Sequence, residues 1–135
     1  MKSEEKHLLL VDFCARLPYG VICKTSKGNG HLCSINQTIF GIEYGINIKA
    51  TERDYFDDKE EIKPYLRPMS SMTEEEQKEF VKFHCVNICP IVITENLTIS
   101  NEAEMFEWLN KKMFDYRGLI SLGSALEAPE GMYNN

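Results

Sequence analysis

Long hydrophobic runs are missing from this chain of 135 residues. The first apolar stretch, Leu8 to Val11, ends at Asp12, and Arg16 follows soon after. It is too short for a secretory h-region or a membrane span, so a chain in a reducing cytoplasm with no membrane contact is expected. An excess of basic charge is missing as well. Fifteen Lys and Arg stand against 21 Asp and Glu, giving a formal charge of −6 and a pI near 5.1. Binding to a phosphate backbone needs clustered cations, so nucleic acid is not the expected partner. The charge is uneven: residues 51–79 hold ten acidic and five basic side chains, whereas residues 1–50 hold four acidic and six basic.

Histidine is scarce too. His7, His31 and His84 are the three present, and none lies in a local signature of nucleophilic or acid–base catalysis. Gly28-Asn29-Gly30 lacks the length and the following Lys-Ser/Thr of a phosphate loop. The five cysteines, Cys14, Cys23, Cys33, Cys85 and Cys89, are an odd number, which suits free thiols better than a disulfide framework. The strongest metal candidate is His84-Cys85 with Cys89, joined by His31 and Cys33, because zinc takes thiolate and imidazole in a tetrahedron. No spacing obliges the two pairs to meet. Buried free thiols are the competing reading, and no cofactor or metal is assigned.

What is present is ordinary globular composition, 43% hydrophobic and 27% charged, in the length of one domain. A helix is expected from Ser3 to about Leu17, with Glu5, Asp12 and Arg16 on a polar stripe opposite Leu10, Phe13, Cys14 and Leu17, and with Pro18 as its stop. Residues 20–25 read as a strand, Lys27 to Gly30 as a hairpin turn and His31 to Asn36 as the return strand. From Phe40 to Ala50 apolar residues alternate (Phe40, Ile42, Tyr44, Ile46, Ile48, Ala50), the clearest period-2 signal in the chain. Gly41 and Gly45 within it leave open one bent strand or two. A small curved antiparallel sheet follows from this, for which an SH3-like barrel is one arrangement.

Asp57 to Leu66 is expected to include a short acidic helix or helical turn that enters the connector. The stretch Ile62 to Glu76 (IKPYLRPMSSMTEEE) marks the change from strand-like to helix-like sequence. Pro64 and Pro68 fix an extended connector, and Thr73 with Glu76 has the spacing of a capping box. This connector is expected to strap the sheet to the helices, with Tyr65 and Leu66 buried and Arg67 tied to a carbonyl or carboxylate. A helix is expected from Thr73 to about Cys85, a strand at Ile91 to Thr94, and a second C-terminal helix from Asn101 to about Phe114, with Gly118 as a stop. The fold class is thus α+β: an N-terminal helix, a small sheet and two C-terminal helices in one domain over residues 1–126, with residues 127–135 as a mobile tail.

Two aromatic and basic clusters are the candidate partner-binding residues: Tyr65 with Arg67, and Trp108 with Tyr116 and Arg117. Tyr, Trp and Arg are enriched at interface hot spots. They also pin connectors onto cores, and both clusters sit at element ends where anchoring is needed.

Three blocks, DFCARLPYGV, KPYLRPMSSMTEEE and WLNKKMFDYRGLISLGSALEAPEGMY, resemble a family of small, uncharacterised proteins encoded in phage and mobile-element genes of gut bacteria. The resemblance spans both ends and the centre, and leaves out the strand region from Ile22 to Asp57. It implies a cytoplasmic accessory protein and transfers no functional residue. Together these observations favour a non-enzymatic module that binds a host or phage protein, through the exposed sheet face or the Tyr65–Arg67 connector. A nucleic-acid-binding small barrel and a small zinc- or thiol-dependent enzyme are the alternatives.

Overall fold

In a computed structural model that describes residues 3–49, 52–88 and 95–133, the first helix, α1, spans Ser3–Arg16. Its inward stripe is Leu9, Asp12, Phe13 and Arg16, the i, i+3, i+4, i+7 face of an amphipathic helix. Two of those four are ionised side chains. The stripe expected to be polar and solvated therefore points inward, and Cys14, expected inside, is exposed. The reason is mutual satisfaction: Arg16 Nε donates to both Asp12 carboxylate oxygens at 3.0 Å, and both residues are fully buried. Pro18 then falls in a 3-10 turn, Leu17–Tyr19, which closes at Gly20 with a left-handed φ of 70°.

Four antiparallel strands follow: β1 (Ile22–Thr25), β2 (Gly28–Thr38), β3 (Gly41–Lys49) and β4 (Glu52–Asp57). The alternating run is one strand, β3, and it keeps Tyr44 and Ile46 in the core. The first hairpin turns earlier than expected, at Ser26-Lys27, because Thr25 already pairs with Gly28. Gly28 to Gly30 thus lie within β2. Gly30 is needed there because a Cβ would sit 2.7 Å from the Asn47 carbonyl oxygen across the strand pair.

Asp57 to Leu66 holds no helix. The Asp57 carboxylate accepts from the amides of Lys59 and Glu60, a side-chain turn that competes with helix. The chain then enters β5 (Lys63–Leu66), antiparallel to β1, while β6 (Leu126–Glu127) runs parallel to β5. The strand order is β4-β3-β2-β1-β5-β6 in an open six-stranded sheet. On a flat sheet β4 and β5 would lie four spacings apart, about 19 Å. The six peptide steps from Asp57 to Lys63 reach about 20 Å only when fully extended, and here they include a turn, so the sheet curls. Helix α1 packs against the sheet, where Phe13 meets Tyr44 edge to face at 5.1 Å between ring centroids. Val21, Cys23, Leu32, Phe56, Ile62 and Leu66 complete this core.

The helices of the second half are α2 (Glu74–Ile88), α3 (Glu95–Lys111) and a short α4 (Leu119–Leu122). The expected start of α3 at Asn101 lies inside it, where neither Gly nor Pro interrupts the sequence. The expected strand at Ile91 to Thr94 lies outside the described residues. Helix α3 ends well before Gly118, by turning at Met113, whose φ is 64°. Met113 is held in that left-handed conformation by burial and by the Phe114 amide bonding back to the Leu109 carbonyl, the wrap that ends many helices. Residues 127–133, set apart in the sequence as a tail, are bonded to the sheet at both ends. The Ala128 amide donates to the Leu66 carbonyl, and the Tyr133 hydroxyl donates to the Tyr65 carbonyl at 2.7 Å and accepts from the Ile22 amide at 2.8 Å. No helix among the described residues is long and apolar enough to cross a membrane.

Helix α1 is fastened to the C-terminal segment by charge. Arg117 Nη1 donates to Asp12 Oδ1 at 2.7 Å, and Arg16 Nη2 donates to the Phe114 carbonyl at 2.6 Å. Replacing Asp12 by Ala would leave the Arg16 guanidinium buried without its counter-charge. Asp12→Ala is expected to lower the unfolding free energy by about 3–5 kcal/mol, measured by urea denaturation, with a smaller loss for Arg117→Ala, whose side chain is 17% exposed.

Candidate functional site

The connector behaves as a strap. Arg67 forks onto Glu76, with Nη1 to Oε2 at 2.8 Å and Nη2 to Oε1 at 2.7 Å, the bidentate geometry that suits guanidinium and carboxylate. Its guanidinium also lies 4.2 Å from the Phe114 ring centroid, and its backbone bonds the Met113 carbonyl and the Asp115 amide. Leu66 is fully buried. Tyr65 is half-buried, and its hydroxyl donates to Asn29 Oδ1 at 3.2 Å. The capping box forms as the spacing predicts: the Glu76 amide donates to Thr73 Oγ1 at 3.2 Å and the Thr73 amide to Glu76 Oε1 at 3.0 Å. Glu76 thus serves cap and arginine together. The Arg67 hydrogen bonds, aided by the Thr73 amide, hold its carboxyl down from its ordinary 4.5 to about 2 against the opposing effect of burial.

The second cluster is also committed to internal contacts. Trp108 Nε1 donates to Glu79 at 2.8 Å, and the indole stacks with Phe80 and Phe114. Tyr116 donates to Asn110 at 2.9 Å and lies under two guanidinium groups, Arg117 at 4.5 Å and Arg16 at 5.5 Å from its ring centroid. Phe114 joins the two clusters, since its ring meets both Arg67 and Trp108. Four of the five candidates, Arg67, Trp108, Tyr116 and Arg117, therefore gather around one segment, 114–117, where they tie the helices to the sheet; Tyr65 instead meets Asn29 of β2.

The zinc candidates divide. His31 is exposed, and Cys33 occupies a bulge of β2 between Leu32 and Ser34, its thiol donating to the His31 carbonyl at 3.3 Å. Cys89 and the side chains of His84 and Cys85 lie outside the described residues. Among the described residues no three His, Cys, Asp or Glu side chains are placed to hold a metal ion. Cys23 is fully buried, and burial, with Asp12 nearby, pushes its thiol up, which suits an inert core residue rather than a nucleophile.

One surface feature escaped the sequence reading. Phe40, expected to start the inward face of β3, sits with Ile39 at the tip of the β2–β3 hairpin, 88% and 94% exposed. The tip repeats the first hairpin. In Thr25-Ser26-Lys27-Gly28 and again in Thr38-Ile39-Phe40-Gly41 the threonine hydroxyl donates to the glycine carbonyl, at 2.7 and 2.9 Å, and accepts from the amide two residues on, at 3.1 Å in both. The glycines take φ of 126° and 123°. The Thr-x-x-Gly repeat was the available signal. One turn fills its exposed positions with Ser and Lys; the other fills them with Ile and Phe.

Beside the tip lie two adjoining hollows. One, of about 330 Å³, is lined by Phe40, Ile42, Glu43, Asp57 and Asp58 among others. The other, of about 360 Å³, runs between α1 and the sheet over Leu9, Phe13, Tyr44 and Ile62, and shares Ile42, Asp58 and Lys59 with the first. Burial, reinforced by the Asp58 charge, pushes the Tyr44 phenol up to about 12. Comparison of the chain with family models, curated proteins and solved structures finds no match.

The Glu76 pairing has a pH consequence. Because the folded carboxyl titrates lower than the unfolded one, the stability it contributes is present above pH 4.5 and is lost as pH falls towards 2. With allowance for solvent screening the loss is on the order of 1–2 kcal/mol. Denaturant unfolding between pH 6 and pH 2.5 should show it in the native chain, and a shallower dependence in Glu76→Gln.

Proposed function

We propose that the protein is a non-enzymatic protein-interaction module, the cytoplasmic accessory role in a phage or mobile element that its central and terminal sequence blocks imply, and that it engages its partner through the β2–β3 hairpin tip. The observation that carries this reading is the contrast between the two hairpins. Thr-x-x-Gly chemistry is satisfied equally well by Ser26-Lys27 and by Ile39-Phe40, so folding does not require large apolar residues at the second turn. Leaving them in water forgoes about 1.5–3 kcal/mol of burial for each side chain. Burying them against another surface recovers it, and aromatic anchors entering pockets are the usual centres of binding energy.

The aromatic and basic residues at the element ends support the same reading from the other side. Arg67, Trp108 and Arg117 hold the helices on the sheet, which keeps the scaffold behind the tip rigid and lowers the entropy lost on binding. The proposal needs only an exposed tip on an α+β scaffold and does not require SH3-like closure of the sheet.

The test is affinity capture from the native host with the wild-type chain and with Ile39→Ser/Phe40→Ser. Both substituted side chains lie in solvent, so the variant should unfold within about 0.5 kcal/mol of the wild type. A protein retained by the wild type and lost by the variant is the expected result. Capture that is indifferent to the tip would sink the proposal.

A further inference from the structure

The surroundings of the tip define the chemistry of what it binds. We propose that the tip and the adjoining groove take a segment of a basic protein, with an apolar side chain as anchor and Lys or Arg residues flanking it. This rests on the reading of the tip as an interaction site.

Charge complementarity is the first support. Glu43, Asp57, Asp58 and Glu60 line the two hollows, with Glu61 held at 3.0 Å by Lys63, and the ammonium groups there are those of Lys6 and Lys59. Glu43 and Asp57 stand directly opposite one another across the β3–β4 pair. Like charges in that position oppose strand pairing. A cation from a partner turns this repulsion into attraction. The position of the acid matters: it rims an apolar surface, the arrangement in which charges steer and orient while buried apolar groups hold.

Tyr44 is the second support. The residue is 5% exposed and lines the groove; its hydroxyl makes no hydrogen bond among the described residues and is not one of the polar atoms shut off from solvent, so it is presented to the groove. A hydroxyl that reaches an open groove bonds to water there, and a partner's acceptor can replace that water. A peptide carbonyl laid along the groove supplies that acceptor. Other occupants fit less well. A second copy brings the same carboxylates and a charge of −6, and nucleic acid or an anionic membrane brings phosphates to an acidic rim.

The experiment selects random linear peptides displayed on phage against the immobilised full chain, then measures synthetic versions of the recovered peptides by fluorescence anisotropy. Expected are sequences that pair an aromatic or large aliphatic residue with Lys or Arg. Their affinity should fall at least about tenfold on raising salt and again in Glu43→Lys or Asp57→Lys, several-fold in Tyr44→Phe, and below detection in Phe40→Ser. Thermal midpoints should be kept in Phe40→Ser and Tyr44→Phe and raised in Glu43→Lys, where a like-charge pair becomes an opposite one. Peptides that need Phe40 but are uncharged, acidic or insensitive to salt overturn the basic-partner inference and leave the tip as an interaction site. Peptides that bind Phe40→Ser as well as the wild type overturn both. Recovery of no peptide above background, or self-association of the chain that depends on Phe40, overturns the inference in favour of a different occupant.

Discussion

A full positive charge with no access to solvent is the constraint from which much of this fold follows. Arg16 lies on the inward stripe of α1, and its guanidinium is held by the Asp12 carboxylate one helical turn earlier and by the Phe114 carbonyl. The pair is not closed within α1. Asp12 also accepts from Arg117, so the carboxylate faces two guanidinium groups that come from opposite ends of the chain. Desolvating such a group is expensive, and it is tolerated only with near-complete pairing. Arg16 Nη1 stays without a hydrogen bond among the described residues, leaving the Tyr116 ring face as further compensation. The site thus dictates where segment 114–117 must lie.

That segment carries the second fastening as well. Phe114 gives its carbonyl to Arg16 and its ring to Arg67, and Arg67 is fixed by the Glu76 fork at the start of α2. Sheet, first helix and later helices are therefore joined through one aromatic residue and two arginines. Tyr133 bonds both β1 and β5, so the last described residues are tied to the middle of the same sheet. Such polar fastenings add specificity of arrangement to a core whose apolar contacts are less particular about geometry.

Features with a local cause were legible in the sequence. The Thr73–Glu76 box, the break at Pro18, the alternation of the Phe40–Ala50 run and the strap role of Arg67 each depend on residues close together in the chain. The inward turn of Asp12 and Arg16 was not legible, because i, i+4 spacing describes a solvated pair and a buried one equally; the deciding partner, Arg117, is a hundred residues away. The shift of the first turn to Ser26-Lys27 had a similar origin. Gly28, Asn29 and Gly30 look like turn residues, but Gly30 answers to the Asn47 backbone across the sheet. A curved sheet was expected, but its order, with β5 beside β1, joins strands about forty residues apart and no local pattern encodes it.

Phe40 shows why the candidate site itself was hidden. Alternation assigns a residue to a face and says nothing about where the face ends. At the end of a hairpin the strand partner runs out: β4 stops opposite Glu43, so the last members of the pattern project past the layer that would cover them. An apolar residue at that position satisfies the period without being buried by it. The companion turn at Ser26-Lys27 resolves the ambiguity, because it shows what the same backbone carries when nothing but water faces it. Ile39 and Phe40 differ from it in side chain alone, and the difference lies beside the carboxylates of Glu43, Asp57 and Asp58 on the β3–β4 edge. Apolar exposure and like-charge crowding each oppose the isolated fold; placed together, both are relieved by the same kind of partner.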